Sequence, residues 1–498
     1  MRNLKEPLVD QHPQPDWIGE ALAIELATPA AGTLQRRLYA ALRRWVQQGR
    51  LPGGSRLPSS RWLARQLGLG RNTVLGAIDR LVAEGFLETR HGAGTFVAEL
   101  AHLASLSETL PTQPAVLSSR GERTLASCRL PDSASGAFAP GVPALELFPR
   151  VAWRRLIQRH LREAPMEWLD YQAQGGVEEL REAICHYVRL SRSVDCSPRQ
   201  VLVVNGAQQA FESIARLLAD SGDRAWMEEP GYVGAQAALA AAELDVAPVP
   251  VDAQGLDPSR APRDRAPRLI YVTPSHQYPC GVTLSLERRL ELLALAERHA
   301  AWIIEDDYDS EFRYRAQPIA SLQGLADSQR VLYVGTFSKS LYPGLRLGYL
   351  ILPNSLVEPF RRVQARLYRE GHYPIQAALA EFIATGHFAR HVKRMREVYR
   401  RRQALLRETL APAVARGLAL SPGESGMHLL ARLPPGIDEQ ALMKKGAQHG
   451  MTLRPLSRHY LGEPATAGLV LGYAGATDDE IRRAGALLRG WLLPLFDA

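Results

Sequence analysis

Cysteine is scarce in this chain of 498 residues: Cys128, Cys185, Cys196 and Cys280 are all there are. None forms a CxxC pair, so neither a metal knuckle nor a disulfide framework is expected. No stretch approaches the roughly 18 apolar residues that a membrane-spanning helix needs. The opening MRNLKEPLVDQHPQP has no apolar segment of the kind a secretory signal carries. The expectation is a cytoplasmic protein with no membrane partner and no metal. Lysine is absent between Thr33 and Ala98, and acids are few there (Asp79, Glu84, Glu88).

Arginine fills that segment instead, with eleven residues from Arg36 to Arg90. The surplus over acids equals the net charge of the whole chain, +8. A short basic module on a body that is neutral on balance points to a polyanion partner, most simply double-stranded DNA. The length suggests about three units of about 150 residues each, and 46% hydrophobic residues can fill large cores.

In TLQRRLYAALRRWVQQG, residues 33–49, apolar residues recur at spacings of three and four. This predicts an amphipathic helix capped by Thr33 and stopped by Gly49. A turn-rich LPGGSRLPSS follows, then a helix over Arg61–Leu67 capped by Ser59 or Ser60, a Gly68-Leu69-Gly70 turn, and a third helix over Arg71–Glu84. Gly76 inside that helix is unusual, at a cost of about 1 kcal/mol against alanine. FLETRHGAGTFVA reads as two short strands around His91 and Gly92. Helix, helix, short turn, helix and wing is a winged helix-turn-helix plan, whose recognition helix offers its first residues to the major groove. Here those are Arg71, Asn72 and Thr73, with Arg61 and Arg65 one helix earlier, within reach of phosphate.

LPGGSRLPSSRWLARQLGLGRNTVLGAIDRLVAEGFLETRHGAGTFV resembles the GntR-type DNA-binding domain. The resemblance implies that Arg61, Arg71, Asn72, Thr73, His91 and Gly92 approach DNA. It places a DNA-binding domain at residues 20–98. Residues 99–128, rich in Ser, Thr, Pro and small side chains, read as an extended linker, with a short helix at Leu100–Leu106 as the alternative.

From residue 129 to 498, apolar strands alternate with amphipathic helices, which predicts a mostly parallel α/β sheet with ligand groups at the strand ends. The tail from about residue 386 reads as a smaller α+β subdomain. VLYVGTFSKSLYPGLRLGYL, residues 331–350, is the centre of the domain. A lysine, Lys339, stands between hydroxyl residues at the end of a buried strand, and Arg346 follows seven positions later. An amine of lowered pKa in an enclosed site forms Schiff bases readily, and hydroxyls with a guanidinium suit a phosphate. Lysine for an aldehyde and arginine for a phosphate are what pyridoxal 5'-phosphate (PLP) requires. The clusters NGAQQA, EEPGY, TPSHQYPCG and EDDYDSEF sit at other strand ends. Amides at a helix start hold phosphate, an aromatic ring stacks on a planar cofactor, and a carboxylate holds a protonated pyridine nitrogen.

GVPALELFP, LDYQAQGG, VNGAQQA, EEPGY, TPSHQYPCG, EDDYDSEF, TFSKSLYPGLRLGY and LGYA resemble the fold-type I aminotransferases. Together with the head, the architecture resembles the MocR/GabR-type regulators. The resemblance implies a Schiff base on Lys339, Asp306 on the pyridine nitrogen, Tyr308 on the phenolic oxygen and Tyr232 against the ring. It implies a phosphate held by Ala207, Gln208, Thr336, Ser338 and Arg346. Tyr171 would reach the phosphate of the partner subunit, which implies a head-to-tail homodimer. Two departures stand out. Tyr278 occupies the position of the usual asparagine, so that ring contact is lost or passes to Gln277. Val470 stands where the enzymes place the arginine that grips a substrate carboxylate, and Arg454 or Arg458 is the candidate replacement.

The implied function is a PLP-binding transcription regulator that senses PLP or an amine or amino-acid effector. A residual half-reaction is compatible with that function. The alternatives are an active PLP-dependent aminotransferase carrying a DNA-binding head, and a DNA binder that has lost PLP.

Overall fold

The computed structural model describes residues 17–28, 31–99, 116–128, 136–314, 319–325 and 329–496. The chain divides into two compact units, Met1–Val116 and Leu117–Ala498. Leu100–Leu106 lies outside the described residues.

In the first unit, helices α1 (Trp17–Ala27), α2 (Leu34–Gln47), α3 (Ser60–Leu67) and α4 (Arg71–Ala83) precede the strands β1 (Leu87–Arg90) and β2 (Gly94–Val97). Thr33 caps α2 by accepting from the Arg36 amide, and Ser59 caps α3 by accepting from Trp62. The α2 stripe meets the α4 stripe: Leu38, Leu42, Trp45, Val74, Ala77 and Leu81 share one core. Leu63 of α3 and Leu87 of β1 close it. The absent side chain of Gly76 leaves room for the Gln35 carboxamide of α2, whose Nε2 lies 2.3 Å from where a Cβ would stand. β1 and β2 pair antiparallel, with Arg90 opposite Gly94. Helix α1 begins before residue 20, and Glu25 on it accepts from the Trp45 indole at 2.8 Å.

In the second unit, β3 (Val201–Val204), β4 (Arg224–Glu229), β5 (Asp245–Asp252), β6 (Gly255–Leu256), β7 (Leu269–Val272), β8 (Trp302–Asp307), β9 (Val331–Thr336) and β10 (Gly348–Ile351) form one sheet. Their order is β3-β10-β9-β8-β7-β4-β5-β6. Pairing is parallel except around β10 and at short β6. Every residue of β3, β7, β9 and β10 is buried, as expected where helices cover both faces. Alternate residues serve opposite faces: Tyr271, Ile304 and Val334 pack with the helices Ala207–Leu218 and Val233–Ala241. Ile270, Val272 and Ile303 pack with Leu286–His299. A parallel sheet brings the carboxy ends of β3, β7, β8 and β9 to one edge, and the sequence clusters sit there.

A second sheet, β11 (Ala419–Leu420), β12 (His428–Arg432), β13 (Arg454–Pro455) and β14 (Gly468–Gly472), is ordered β11-β12-β14-β13. It packs on the helices His387–Val414 and Asp478–Leu492 through Tyr399, Leu406, Leu429, Leu471 and Leu488. The end of the stretch read as an extended linker is helical. Ser119–Ser127 belongs to the second unit, where Arg120 and Arg123 pair with Glu243. Its serine cap and these two ion pairs give it a fixed seat that composition alone did not reveal.

Candidate functional site

The strand ends of the second unit enclose a cavity of about 250 Å³. Lys339 reaches it from the loop after β9 and donates through Nζ to the Gly141 carbonyl at 3.0 Å. Burial holds this amine below the ordinary lysine range. The carboxylates of Asp309 and Asp306 oppose that shift, and Arg454 adds to it.

Asp306, at the end of β8, lines the same cavity. Its Oδ2 accepts from the Tyr271 hydroxyl at 2.6 Å. Its Oδ1 is buried with no hydrogen-bond partner among the described residues. Burial pushes this carboxyl up to about 7, and the Tyr271 hydrogen bond offsets part of the shift. A buried carboxylate oxygen without a donor is costly. A ligand that brings a positively charged N–H to this point relieves that cost.

At another wall, Gly206 precedes the helix Ala207–Leu218 with φ +86° and ψ 167°, a conformation open to glycine alone. The first N–H groups of a helix have no intrahelical acceptor, so this turn aims free donors at the cavity. Gly206, Ala207 and Gln208 line it, facing Thr336, Ser338 and Arg346. Arg346 is itself held in the left-handed region, φ +54°, with Nη2 donating to the Asn205 carbonyl at 2.9 Å. Amides, two hydroxyls and a guanidinium converge on a space that suits a phosphate dianion. Tyr232, whose hydroxyl is pushed up to about 12 by burial, completes the wall with Tyr278 at 5.9 Å edge to face. The unpartnered Asp306 oxygen, the desolvated lysine and the phosphate cradle fit the three ends of PLP.

Most of the residues expected from sequence meet here: Ala207, Gln208, Tyr232, Asp306, Tyr308, Thr336, Ser338, Lys339, Arg346 and Arg454 all line the cavity. Gln277 does not. Its carboxamide donates to Glu228 and Pro230 at the end of β4 and to Tyr278, and accepts from the Cys280 amide, so its donors are spent away from the cavity. Arg458 does not line the cavity either, and donates to Met443 Sδ at 3.5 Å. Tyr171 is 70% exposed beneath the Arg369 guanidinium and is not part of its own chain's cavity. Tyr278, noted from sequence only as a departure, lines the cavity too, as do Tyr271, Thr273, Met427 and His428, which were not named as site residues. A tyrosine inside the aliphatic run RLIYV was a usable signal for Tyr271. Nothing local marks Met427 or His428, which arrive from the second sheet.

In the first unit, Arg61, Arg71, Asn72, His91 and Gly92 are exposed and Thr73 is half-buried. Arg71, Asn72 and Thr73 open α4, and no side chain caps that helix start. His91 and Gly92 form the β1–β2 turn. The arrangement presents the start of a helix and a wing tip, and neither segment contains an acidic residue.

Residues 34–97 match the family of bacterial regulatory proteins of the gntR type, and residues 142–486 match aminotransferase class I and II. The chain is 43% identical to the probable rhizopine catabolism regulatory protein MocR of Rhizobium meliloti, over 93% of this chain and 94% of that one. It is 33% identical to the pyridoxine biosynthesis transcriptional regulator PdxR of Corynebacterium glutamicum, over 93% of this chain and 96% of the other. Among solved structures, it resembles LysN, the α-aminoadipate aminotransferase of Thermus thermophilus, solved with N-(5'-phosphopyridoxyl)-L-leucine. That likeness has a TM-score of 0.66 at 25% identity and covers 76% of this chain and 96% of LysN. The chain therefore belongs to the MocR-type transcription regulators, in which a GntR-type DNA-binding domain is joined to an aminotransferase-like domain.

Proposed function

We propose that this regulator binds PLP in the cavity around Lys339 and responds to PLP itself, or to an amine or amino acid that reacts with it, by changing its hold on an operator. The observation that carries the reading is the buried, unpartnered Asp306 Oδ1 in the same cavity as a desolvated lysine amine.

When bound, PLP supplies an aldehyde and an electron-withdrawing ring. Lys339 is the amine that holds the aldehyde, and Asp306 Oδ1 accepts the pyridine N–H. Tyr308 faces the phenolic oxygen. The Ala207 and Gln208 amides, Thr336, Ser338 and Arg346 hold the phosphate, and Tyr232 excludes water from one ring face. Tyr171, exposed on its own chain, serves the partner's phosphate in a head-to-tail homodimer. Arg454 receives an effector carboxylate. The placement of Arg458 outside the cavity does not support a direct role for it. Arg61, Arg71, Asn72, Thr73, His91 and Gly92 meet DNA. The effector acts only through its difference in affinity for the two arrangements of the dimer.

The test is spectroscopic and functional together. The purified chain incubated with PLP gains a visible absorption band that Lys339→Ala lacks, and footprinting of its operator changes when PLP is added. A chain that stays colourless refutes the reading, as do footprints that respond neither to PLP nor to an amine or amino acid added to the PLP-loaded chain. An active aminotransferase is the second reading, favoured by the joint presence of Lys339, Asp306 and Arg346 in one cavity. Rapid multiple-turnover conversion of an amino acid in stopped-flow absorbance supports it, and a single half-reaction supports the regulator.

A further inference from the structure

Behind Tyr308 lies a group of side chains that the cofactor reading does not use. His276, 2% exposed, comes from the loop after β7, and Asp309, 1% exposed, from the loop after β8. His276 Nδ1 is 3.1 and 3.0 Å from the two Asp309 carboxylate oxygens and 3.0 Å from the Tyr308 hydroxyl. Gly426 lies close against the imidazole, where a Cβ would stand 1.9 Å from Cε1, so only glycine leaves the ring its place. The far nitrogen, Nε2, is buried with no hydrogen-bond partner among the described residues.

These contacts fix the tautomer. A carboxylate only accepts, so Nδ1 carries the hydrogen that meets Asp309. A hydrogen on Nε2 would be buried without an acceptor, so this nitrogen is left bare. With Nδ1 occupied, Tyr308 has no acceptor in His276, and its own hydrogen turns to the cavity that it lines. Burial keeps this phenol protonated, pushed well above its ordinary range. The ring centroid of His428 is 5.0 Å from that of His276; burial lowers His428 well below the ordinary range, and its Nε2 donates to the Pro279 carbonyl at 3.2 Å. The other charged or titratable groups facing Tyr308 are Asp306, Tyr278 and Glu228.

We infer that the Asp309–His276 pair is a positioning device that forces the Tyr308 hydroxyl to donate into the cavity, and so sets the proton affinity of a PLP bound there. The inference rests on the PLP reading above. A hydrogen bond donated to the phenolic oxygen withdraws charge from it, and that lowers the proton affinity of the Lys339 nitrogen joined to the cofactor. In Asp309→Asn the side chain no longer compels Nδ1 to carry the hydrogen; in the reversed tautomer Nδ1 is an acceptor, and Tyr308 turns its hydrogen to it instead of to the cavity. The same reversal disarms a serine-protease triad when its aspartate becomes asparagine.

The experiment is a pH titration of the visible band of the PLP-loaded full chain. Asp309→Asn also removes a negative charge near Lys339, which by itself lowers the midpoint. The relay is therefore read as a difference between backgrounds. D309N moves the midpoint higher by about one pH unit in the native chain than it does in the Y308F background, one hydrogen bond to a charged group being about that size. Equal shifts in the two backgrounds overturn the inference. If D309N does not fold, 15N chemical shifts of the histidines in the native chain decide, with His276 assigned from H276Q: Nδ1–H supports the relay and Nε2–H overturns it. A native chain that takes up no PLP refutes the cofactor reading and this inference with it. Uptake without a background-dependent shift refutes the inference alone.

Discussion

Arg454 stands directly across the antiparallel ladder from Val470. Directly opposed residues project to the same face, and Arg454 lines the cavity from β13, beside the valine that the resemblance puts at the enzymes' carboxylate-binding position. Val470 is fully buried among Tyr278, Leu430, Leu456 and Tyr460. The guanidinium stands one strand over from Val470, which is core.

Arg454→Ala is expected to weaken amino-acid effectors by about ten-fold or more, since a hydrogen bond to a charged group contributes about 1.5–3 kcal/mol. Amines without a carboxylate should lose little. Calorimetric titration of the PLP-loaded protein with matched amine and amino-acid pairs measures both, and equal losses for the two classes remove Arg454 from the effector site.

Stability without cofactor should fall as pH rises. Burial pushes Asp306 up to about 7, against about 3.9 for an unfolded aspartate. Between those values the folded chain holds a proton that the unfolded chain has released, so stability present in acid is lost as pH climbs through 7. Glu228, Glu305 and Glu311, each also pushed by burial to about 7, add contributions of the same sign. Asp306→Asn should reduce the slope by up to about 1.4 kcal/mol per pH unit. Denaturant midpoints of the cofactor-free protein from pH 5 to 8 provide the comparison, and an unchanged slope refutes the assignment.

Tyr271→Phe removes the donor on Asp306 Oδ2 and leaves both carboxylate oxygens bare in the empty cavity. Asp306 then rises further, and PLP affinity falls by about ten-fold. The readout is PLP-induced quenching of intrinsic fluorescence. An affinity equal to that of the native chain shows that the Tyr271 hydroxyl does not support the cofactor.

In the first unit, Arg71→Ala should cost about 1–3 kcal/mol on the operator and relax preference at one base pair. Arg61→Ala should weaken all DNA about equally and reduce the salt slope by about one. Electrophoretic mobility shifts across a salt series distinguish the two, and identical behaviour of the variants rejects these separate roles.

Local patterning carried far in this chain. The helix Leu34–Gln47 follows its Thr33 cap, and the helices Ser60–Leu67 and Arg71–Ala83 agree to within a residue at each end with those that periodicity predicted. Lys339, Arg346 and Asp306 were legible because each sits beside a continuous apolar strand, and a strand end in a parallel sheet is where ligands bind. The helix Ser119–Ser127 was not legible, because its stability comes from Glu243, more than a hundred residues away.

By itself the sequence determined the two-part plan, the order of the strands along the chain and the residues that crowd one edge of the sheet, since these follow from periodicities of two and 3.6 residues and from turn chemistry. Tertiary structure alone decided that Arg454 faces Val470, that His276 locks onto Asp309 and Tyr308, that Gln277 is spent on Glu228 and Pro230 and that Tyr271 props Asp306. Those outcomes depend on strand register and on loop closure across tens of residues. The free energy that selects among them is packing and hydrogen-bond satisfaction, which no local window of sequence contains.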